Sequence, residues 1–235
     1  MISSIQAHRP LDGLTTFGTR SEADHYAEAG SLDELEAHLA EANANGLPVH
    51  FLGAGANTIA MSRVPGMTIR ITIKGVEMSA APNGDVLVKC GAGEVFDDIV
   101  ARTLKAGIGG LENLSAIPGT VGGAVVQNIG AYGCEAKDAI ERVHMFCVEN
   151  CKCMTLDAAH CCFGYRESIF KHDLRGRVVI TAVDIRLSRT PQPRLGYGDV
   201  EREVEARGGT TLRNIREAIC AIRRAKLPDP KVTGN

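Results

Sequence analysis

Between Gly110 and Gly133 the chain reads GLENLSAIPGTVGGAVVQNIGAYG, with six glycines and a single charged residue, Glu112. A glycine inside a helix or strand costs about 0.5–1 kcal/mol relative to alanine, so this is not a regular buried element. Pro118-Gly119 and Gly122-Gly123 free the backbone twice within a short span, and Gln127 and Asn128 follow with amides able to bond a planar heterocycle at both edges. Loop backbone that is buried leaves polar groups in need of partners. A large ligand rich in acceptors supplies them, so the stretch predicts main chain laid against a ligand.

A second glycine turn follows the apolar run PVHFL: Gly53, Ala54, Gly55, Ala56 and Asn57. Strand, GxG and turn suggest a dinucleotide fold, but the third glycine is absent. The chain also reaches the helix-breaking Pro65-Gly66 too soon for a crossover helix. That excludes a Rossmann unit. A plain β-turn and an anion-binding nest of backbone N–H groups both remain open.

Helical and strand signals are interspersed along the chain. Ser31 and Glu34 form a capping box ahead of Leu32, Leu35 and Leu39, and the helix stops at Gly46. MTIRITI and DVLVKCGAGE read as strands, with a turn and a subdivision of the chain at SRVPGMT. EVFDDIVARTLKAG reads as a helix with Val95, Ile99 and Leu104 inward and Gly107 as its stop. RVHMFCVENCKCMTL reads as a hairpin turning near Glu149–Lys152, and RVVITAVDIRL as an alternating strand. TLRNIREAICAIRRA places Leu212, Ile215, Ile219 and Ile222 on one helix face, ended by the prolines of KLPDPKVTGN. This is an α+β pattern.

Composition narrows the function classes. The 235 residues carry a formal charge of −2, so no basic footprint for nucleic acid is expected. No apolar run approaches a membrane span, and MISSIQAHRPLDGL lacks the apolar core of a signal peptide. No membrane partner and a cytoplasmic location are expected. The eight cysteines, five of them between Cys147 and Cys162, include no CxxC pair, so free thiols are expected in preference to a zinc site.

The glycine-rich stretch, together with LTTFGT, CCFGYRESIFK, LGYGDV and KLPDPKVTGN, closely resembles the UDP-N-acetylenolpyruvoylglucosamine reductases, flavoenzymes of bacterial peptidoglycan precursor synthesis. The resemblance covers nearly the whole chain. It implies an FAD-binding domain of the vanillyl-alcohol-oxidase (PCMH) type, with the substrate domain largely missing from residues 1–235. The implied division is an N-terminal segment 1–18, an FAD-binding domain 19–190 subdivided near 60–66, and the start of a substrate-binding region at 191–235. The implied activity is NADPH- and FAD-dependent reduction of the enolpyruvyl ether of UDP-N-acetylglucosamine by a monomer.

By the same resemblance, Gly53, Ala54, Gly55, Ala56, Asn57 and Thr58 hold FAD together with Pro118, Gly119, Thr120, Gly122, Gly123, Gln127, Asn128, Gly130 and Ala131. Arg166 is the implied catalytic residue, its planar fork suited to a carboxylate on which negative charge develops. On its residue type alone, a surface ion pair of Arg166 with Glu167 is the favoured reading. Tyr165, Tyr197 and Lys226 are implied contacts of the nucleotide-sugar substrate; Lys226 alone equally suits complementation of a helix dipole. No metal is implied. Two departures stand out: Thr15 where the family has asparagine, and Ala56 where it has serine. The lost serine hydroxyl is worth about 1 kcal/mol of hydrogen bonding. The family's proton-donating serine follows the segment that ends here at Asn235, and its C-terminal glutamate lies further on. Residues 1–235 are therefore expected to turn over poorly; the alternative is a non-catalytic FAD-binding remnant or scaffold.

Overall fold

The computed structural model describes residues 4–227, so residues 228–235 of the KLPDPKVTGN motif lie outside it. The chain runs through β1 (Gln6–Pro10) and β2 (Glu22–Ala29) into α1 (Leu32–Ala44), then β3 (Val49–Leu52) and β4 (Arg63–Ile71). These four strands form one sheet in the order β1-β2-β4-β3, with β4 parallel to both β2 and β3. Helix α1 carries the chain across from β2 to β3. Ser31 Oγ accepts the Glu34 N–H (3.1 Å), while the Glu34 carboxylate reaches back to the Gly30 N–H (2.7 Å), one residue earlier than the usual reciprocal cap. Leu35 and Leu39 are buried with His38 and Ala42, whereas Leu32 stands at the exposed margin.

Between β3 and β4 the chain returns through residues 53–62 with no helix, as the early arrival of Pro65-Gly66 requires. Pro65 and Gly66 lie inside β4 and are not a turn. Val64 pairs with Ala23 and Met67 with His25, so two residues oppose Asp24 in a bulge that tolerates proline. Gly66 is left-handed there (φ +82°), and a Cβ on it would stand 2.2 Å from the Pro48 carbonyl.

A second sheet contains β5 (Val76–Ala80) and β6 (Val86–Gly91). After them come α2 (Phe96–Lys105), α3 (Val121–Val126) and the two-residue ladder of β7 (Gly130–Ala131) with β8 (Cys134–Glu135). Strands β9 (Ile140–Cys147), β10 (Lys152–Asp157) and β11 (Val178–Leu187) complete the sheet, antiparallel throughout in the order β10-β9-β11-β6-β5. Met67, Ile69 and Ile71 of the first sheet share one core with Val88, Val143 and Val183 of the second and with Ile99, Val121 and Val125 of the helices. Ile99 and Leu104 point inward as expected, but Val95 does not. It precedes α2, is 41% exposed and bridges to Thr120, and Phe96 takes the inner place. Helices α4 (Val200–Glu205) and α5 (Leu212–Lys226) build a separate small core from Val200, Val204, Ile215, Ile219 and Ile222.

One side chain joins these parts. Asp97 in the first turn of α2 accepts both arms of the Arg216 fork from α5 (2.6 and 2.8 Å) and the backbone N–H of Ala116 (2.6 Å). Burial raises the Asp97 pKa, but Arg216 and the Ala116 N–H outweigh it and hold the carboxyl below its usual value. A depressed carboxylate contributes stability in full above the unfolded value of about 4, lost as pH falls through the folded value. Arg216→Ala is expected to cost about 2 kcal/mol at neutral pH. The loss should shrink as Asp97 is protonated below pH 4, in urea titrations run across that range.

Candidate functional site: a cleft between the two glycine turns

The segment after Ser115 is pinned to the end of β6 main chain to main chain. Phe96 N–H donates to the Gly119 carbonyl (3.0 Å), Val121 N–H to Glu94 (2.9 Å) and Gly122 N–H to Ala92 (2.9 Å). A Cβ on Gly122 would stand 3.0 Å from the Ala92 Cβ; on Gly55, left-handed at φ +64°, it would stand 2.2 Å from the Leu14 carbonyl. These two glycines therefore let the chain lie against itself. Gly119 and Gly123 are different: the nearest neighbours of a Cβ there are Ala56 Cβ at 3.8 Å and Thr120 Oγ1 at 3.4 Å.

The 53–58 turn faces this segment. Asn57 Nδ2 donates to Gln127 Oε1 (2.6 Å) across the gap, and Thr120 Oγ1, which caps α3 by accepting the Gly123 N–H (3.3 Å), lies over Gly53. Thr16 braces the turn from behind: its N–H donates to Gly55 (3.2 Å) and its hydroxyl to Ala56 (3.3 Å). Thr58 N–H closes the turn on the Gly55 carbonyl. Among the described residues, no acceptor takes the backbone N–H of Ala54, Gly55 or Asn57. Three unspent N–H groups on one left-handed turn make a nest for an anion. The first N–H groups of α3 are spent inside the protein, so the turn and not the helix end is where a diphosphate fits. Beside it a cavity of about 140 Å³ opens between the sheets, lined by Leu52, Gly53, Thr120, Gly122, Gly123 and Val126. Pro118 is exposed. The residues present therefore fit FAD: anion donors on one wall, open glycine backbone on the other, and an amide pair at the end.

Arg166 stands at the tip of a tight turn closed by two bonds between Gly164 and Glu167 (3.0 and 3.1 Å). Its backbone is left-handed (φ +56°), and Tyr165 beside it is 83% exposed. The guanidinium donates to the Gly130 carbonyl (2.7 Å), and the Arg166 carbonyl accepts from Lys171 Nζ (2.8 Å). Glu167 is engaged elsewhere, by Lys171 (2.6 Å) and His172, which hold its carboxyl below the usual range. The ion pair that residue type alone suggested for Arg166 is absent among the described residues. One guanidinium bond to Gly130 leaves further N–H donors toward solvent.

Asn128 is fully buried, and its amide bonds within the protein, to Glu135, Gly164 and Lys137. It frames the cleft, and Gln127 is the amide that faces it. Gly130 and Ala131 form β7 beside Arg166. Tyr132, which the motif reading passed over, meets Tyr197 edge-on at 5.9 Å. Asn113, equally unremarked, is buried and donates to the carbonyls of Tyr132 and Arg194 (both 2.8 Å), tying the cleft to the segment that carries Tyr197. Lys226 ends α5 and pairs with Asp199 (3.1 Å), whose carboxyl it and Arg202 hold low. Tyr132, Tyr197, Asp199 and Lys226 thus stand around the α4–α5 core. All eight cysteines are free, and among the described residues no three His, Cys, Asp or Glu side chains gather to hold a metal ion. No helix among them is long and apolar enough to cross a membrane.

Comparison with known proteins agrees with this geometry. Residues 23–156 match the model of the FAD binding domain family. The UDP-N-acetylenolpyruvoylglucosamine reductase of Chromobacterium violaceum is 40% identical over 100% of this chain and 70% of its own length. The crystal structure of the reductase of that name from Thermus caldophilus superposes with a TM-score of 0.67 at 25% identity, over 97% of this chain and 71% of the other. A vanillyl-alcohol-oxidase-type flavoprotein from Myceliophthora thermophila shares the fold alone, with a TM-score of 0.54 at 18% identity over 72% of this chain and 32% of its own. The chain belongs to the UDP-N-acetylenolpyruvoylglucosamine reductase family, on an FAD-binding fold of the vanillyl-alcohol-oxidase type.

Proposed function

We propose that this protein reduces the enolpyruvyl ether of UDP-N-acetylglucosamine with electrons from NADPH through FAD, in peptidoglycan precursor synthesis. The observation that carries the reading is the set of unspent N–H groups on Ala54, Gly55 and Asn57, facing open backbone at Gly119 and Gly123, with the Arg166 guanidinium bonded to Gly130 further along the same glycine-rich segment. FAD, once bound, supplies the hydride chemistry, and the protein supplies orientation and charge. Arg166 holds the substrate carboxylate with the N–H groups that Gly130 leaves free, and steadies the negative charge that develops there. Tyr197 lies over Tyr132 and Gly133 at the cleft mouth, placed to cover the nucleotide sugar. Lys226 exchanges Asp199 for a substrate phosphate. The working division is a flavin part at 19–190 and a substrate part beginning at 191, in a cytoplasmic monomer.

FAD is expected to copurify at about one per chain and to leave on acid or heat. Gly123→Val tests the cleft: a Cβ is tolerated there by the protein itself, so the melting temperature should hold while FAD affinity falls at least ~10-fold. Unchanged affinity would place the flavin elsewhere. Anaerobic NADPH should bleach the bound flavin.

Arg166→Ala, in the protein carried on through the C-terminal third of its relatives, should lower kcat by about 10²-fold or more. FAD content and melting temperature should change little, and a collapse of the melting temperature would make the arginine structural. On this reading the proton donor implied by the family resemblance is a serine outside residues 1–235. Expressed alone, they should form product at roughly 10²–10⁴-fold below full-length relatives, measured anaerobically by mass. A comparable rate would show that a residue within 1–235 donates the proton. Flavin bleaching without any product would fit the scaffold alternative.

A further inference from the structure

The turn that carries Arg166 is not held by its own loop alone. It is joined to the 126–130 segment by three rungs. Ser168 Oγ donates to the Val126 carbonyl, Asn128 Nδ2 donates to the Gly164 carbonyl (2.8 Å), and the Arg166 guanidinium donates to the Gly130 carbonyl (2.7 Å). The middle rung rests on a fully buried amide. Asn128 has no exposed surface, and each polar atom of its amide has a protein partner: Nδ2 also reaches Glu135 (2.9 Å), and Oδ1 accepts the Lys137 N–H (2.9 Å). A carboxylate and a carbonyl on one side and an N–H on the other fix which way the amide faces. No side-chain N–H of Asn128 is left to offer a cofactor.

We infer that Asn128 is a positioning residue for Arg166, fixing the 164–167 turn so that the guanidinium stands at the end of the cleft. The inference rests on the reading of Arg166 given above. Its physical basis is the conformation of the turn. Arg166 is a non-glycine residue in the left-handed region, which the chain leaves unless its neighbours over-determine it. Gly164 O takes two donors, the Glu167 N–H that closes the turn and the Asn128 amide that anchors it to the cleft. Without the second donor the turn remains closed but is no longer referenced to Gly130. Asn128 is itself left-handed (φ +41°), a conformation that asparagine adopts more readily than other side chains.

The test is a double-mutant cycle in the FAD-loaded protein carried through the C-terminal third of its relatives, following reduction of the enolpyruvyl substrate. Asn128→Asp keeps the shape and the acceptor toward Lys137 but removes the donors. Asn128→Gly removes the amide without straining the left-handed backbone and serves if the aspartate variant does not fold. In either variant kcat should fall at least tenfold, with KM for NADPH and FAD content unchanged. In the Arg166→Ala background the same change should cost less than twofold more, because Asn128 acts only through Arg166. A full additional loss in that background, a loss of FAD, or no effect in the parent overturns the inference. If Arg166→Ala itself leaves kcat intact, the catalytic reading of Arg166 fails and not the anchoring, which trypsin then reads directly: nicking after Arg166 should be faster in Asn128→Gly than in the parent. Equal nicking rates would overturn the anchoring too.

Discussion

Everything at the cleft depends on one close approach of backbone to backbone, where the Gly122 N–H reaches the Ala92 carbonyl with no side chain between them. That contact sets α3 directly on the end of β6, and β6 belongs to the sheet that supplies most of the core. From it follow the bonds of Val121 to Glu94 and Phe96 to Gly119, and hence the place of Gly119 and Gly123 in the opposite wall of the cleft. A larger residue at 122 would push α3 outward and carry that wall with it. The cleft wall is thus set by what is missing from one residue.

The second dependency is electrostatic. Asp97 holds the loop at Ala116 with one bond and α5 with two more, so a single carboxylate references both the glycine segment and the region bearing Tyr197 and Lys226 to α2. Asn113 does similar work with a neutral amide between Tyr132 and Arg194. The two parts of the molecule are therefore aligned by a few polar side chains, while their hydrophobic cores stay separate.

Much of this was legible in the sequence, for reasons that can be named. Helices α1 and α5 and the β9–β10 hairpin show their periods and stops directly, and the missing crossover helix after Gly55 follows from chain length alone. β4 was harder to read, because Pro65-Gly66 looks like a turn and becomes a bulge only when β2 and β3 flank it. Val95 follows helical spacing but falls one residue before the helix, where its backbone bridges Thr120. At the site, the glycines do not reveal which of them face the chain and which face a cleft. Asn128 and Gln127 are adjacent amides of like chemistry. Only the fold buries one and opens the other. Asp97 and Asn113 carried no local signal, since their partners lie far along the chain.

Four non-glycine residues around the cleft have left-handed backbone: Ala116, Asn128, Tyr132 and Arg166. Each such residue carries a penalty of roughly 1–2 kcal/mol, less for asparagine, and half of the eight such positions among the described residues lie on the segments that frame the cleft. Replacing Ala116 by glycine would relax that strain and loosen the same turn. Efforts to raise heat resistance find their easiest gains at such positions, and they tend to lose activity there. Robust variants of this enzyme are therefore better sought in the pairing and packing of its two sheets than in the turns that bring those four residues together.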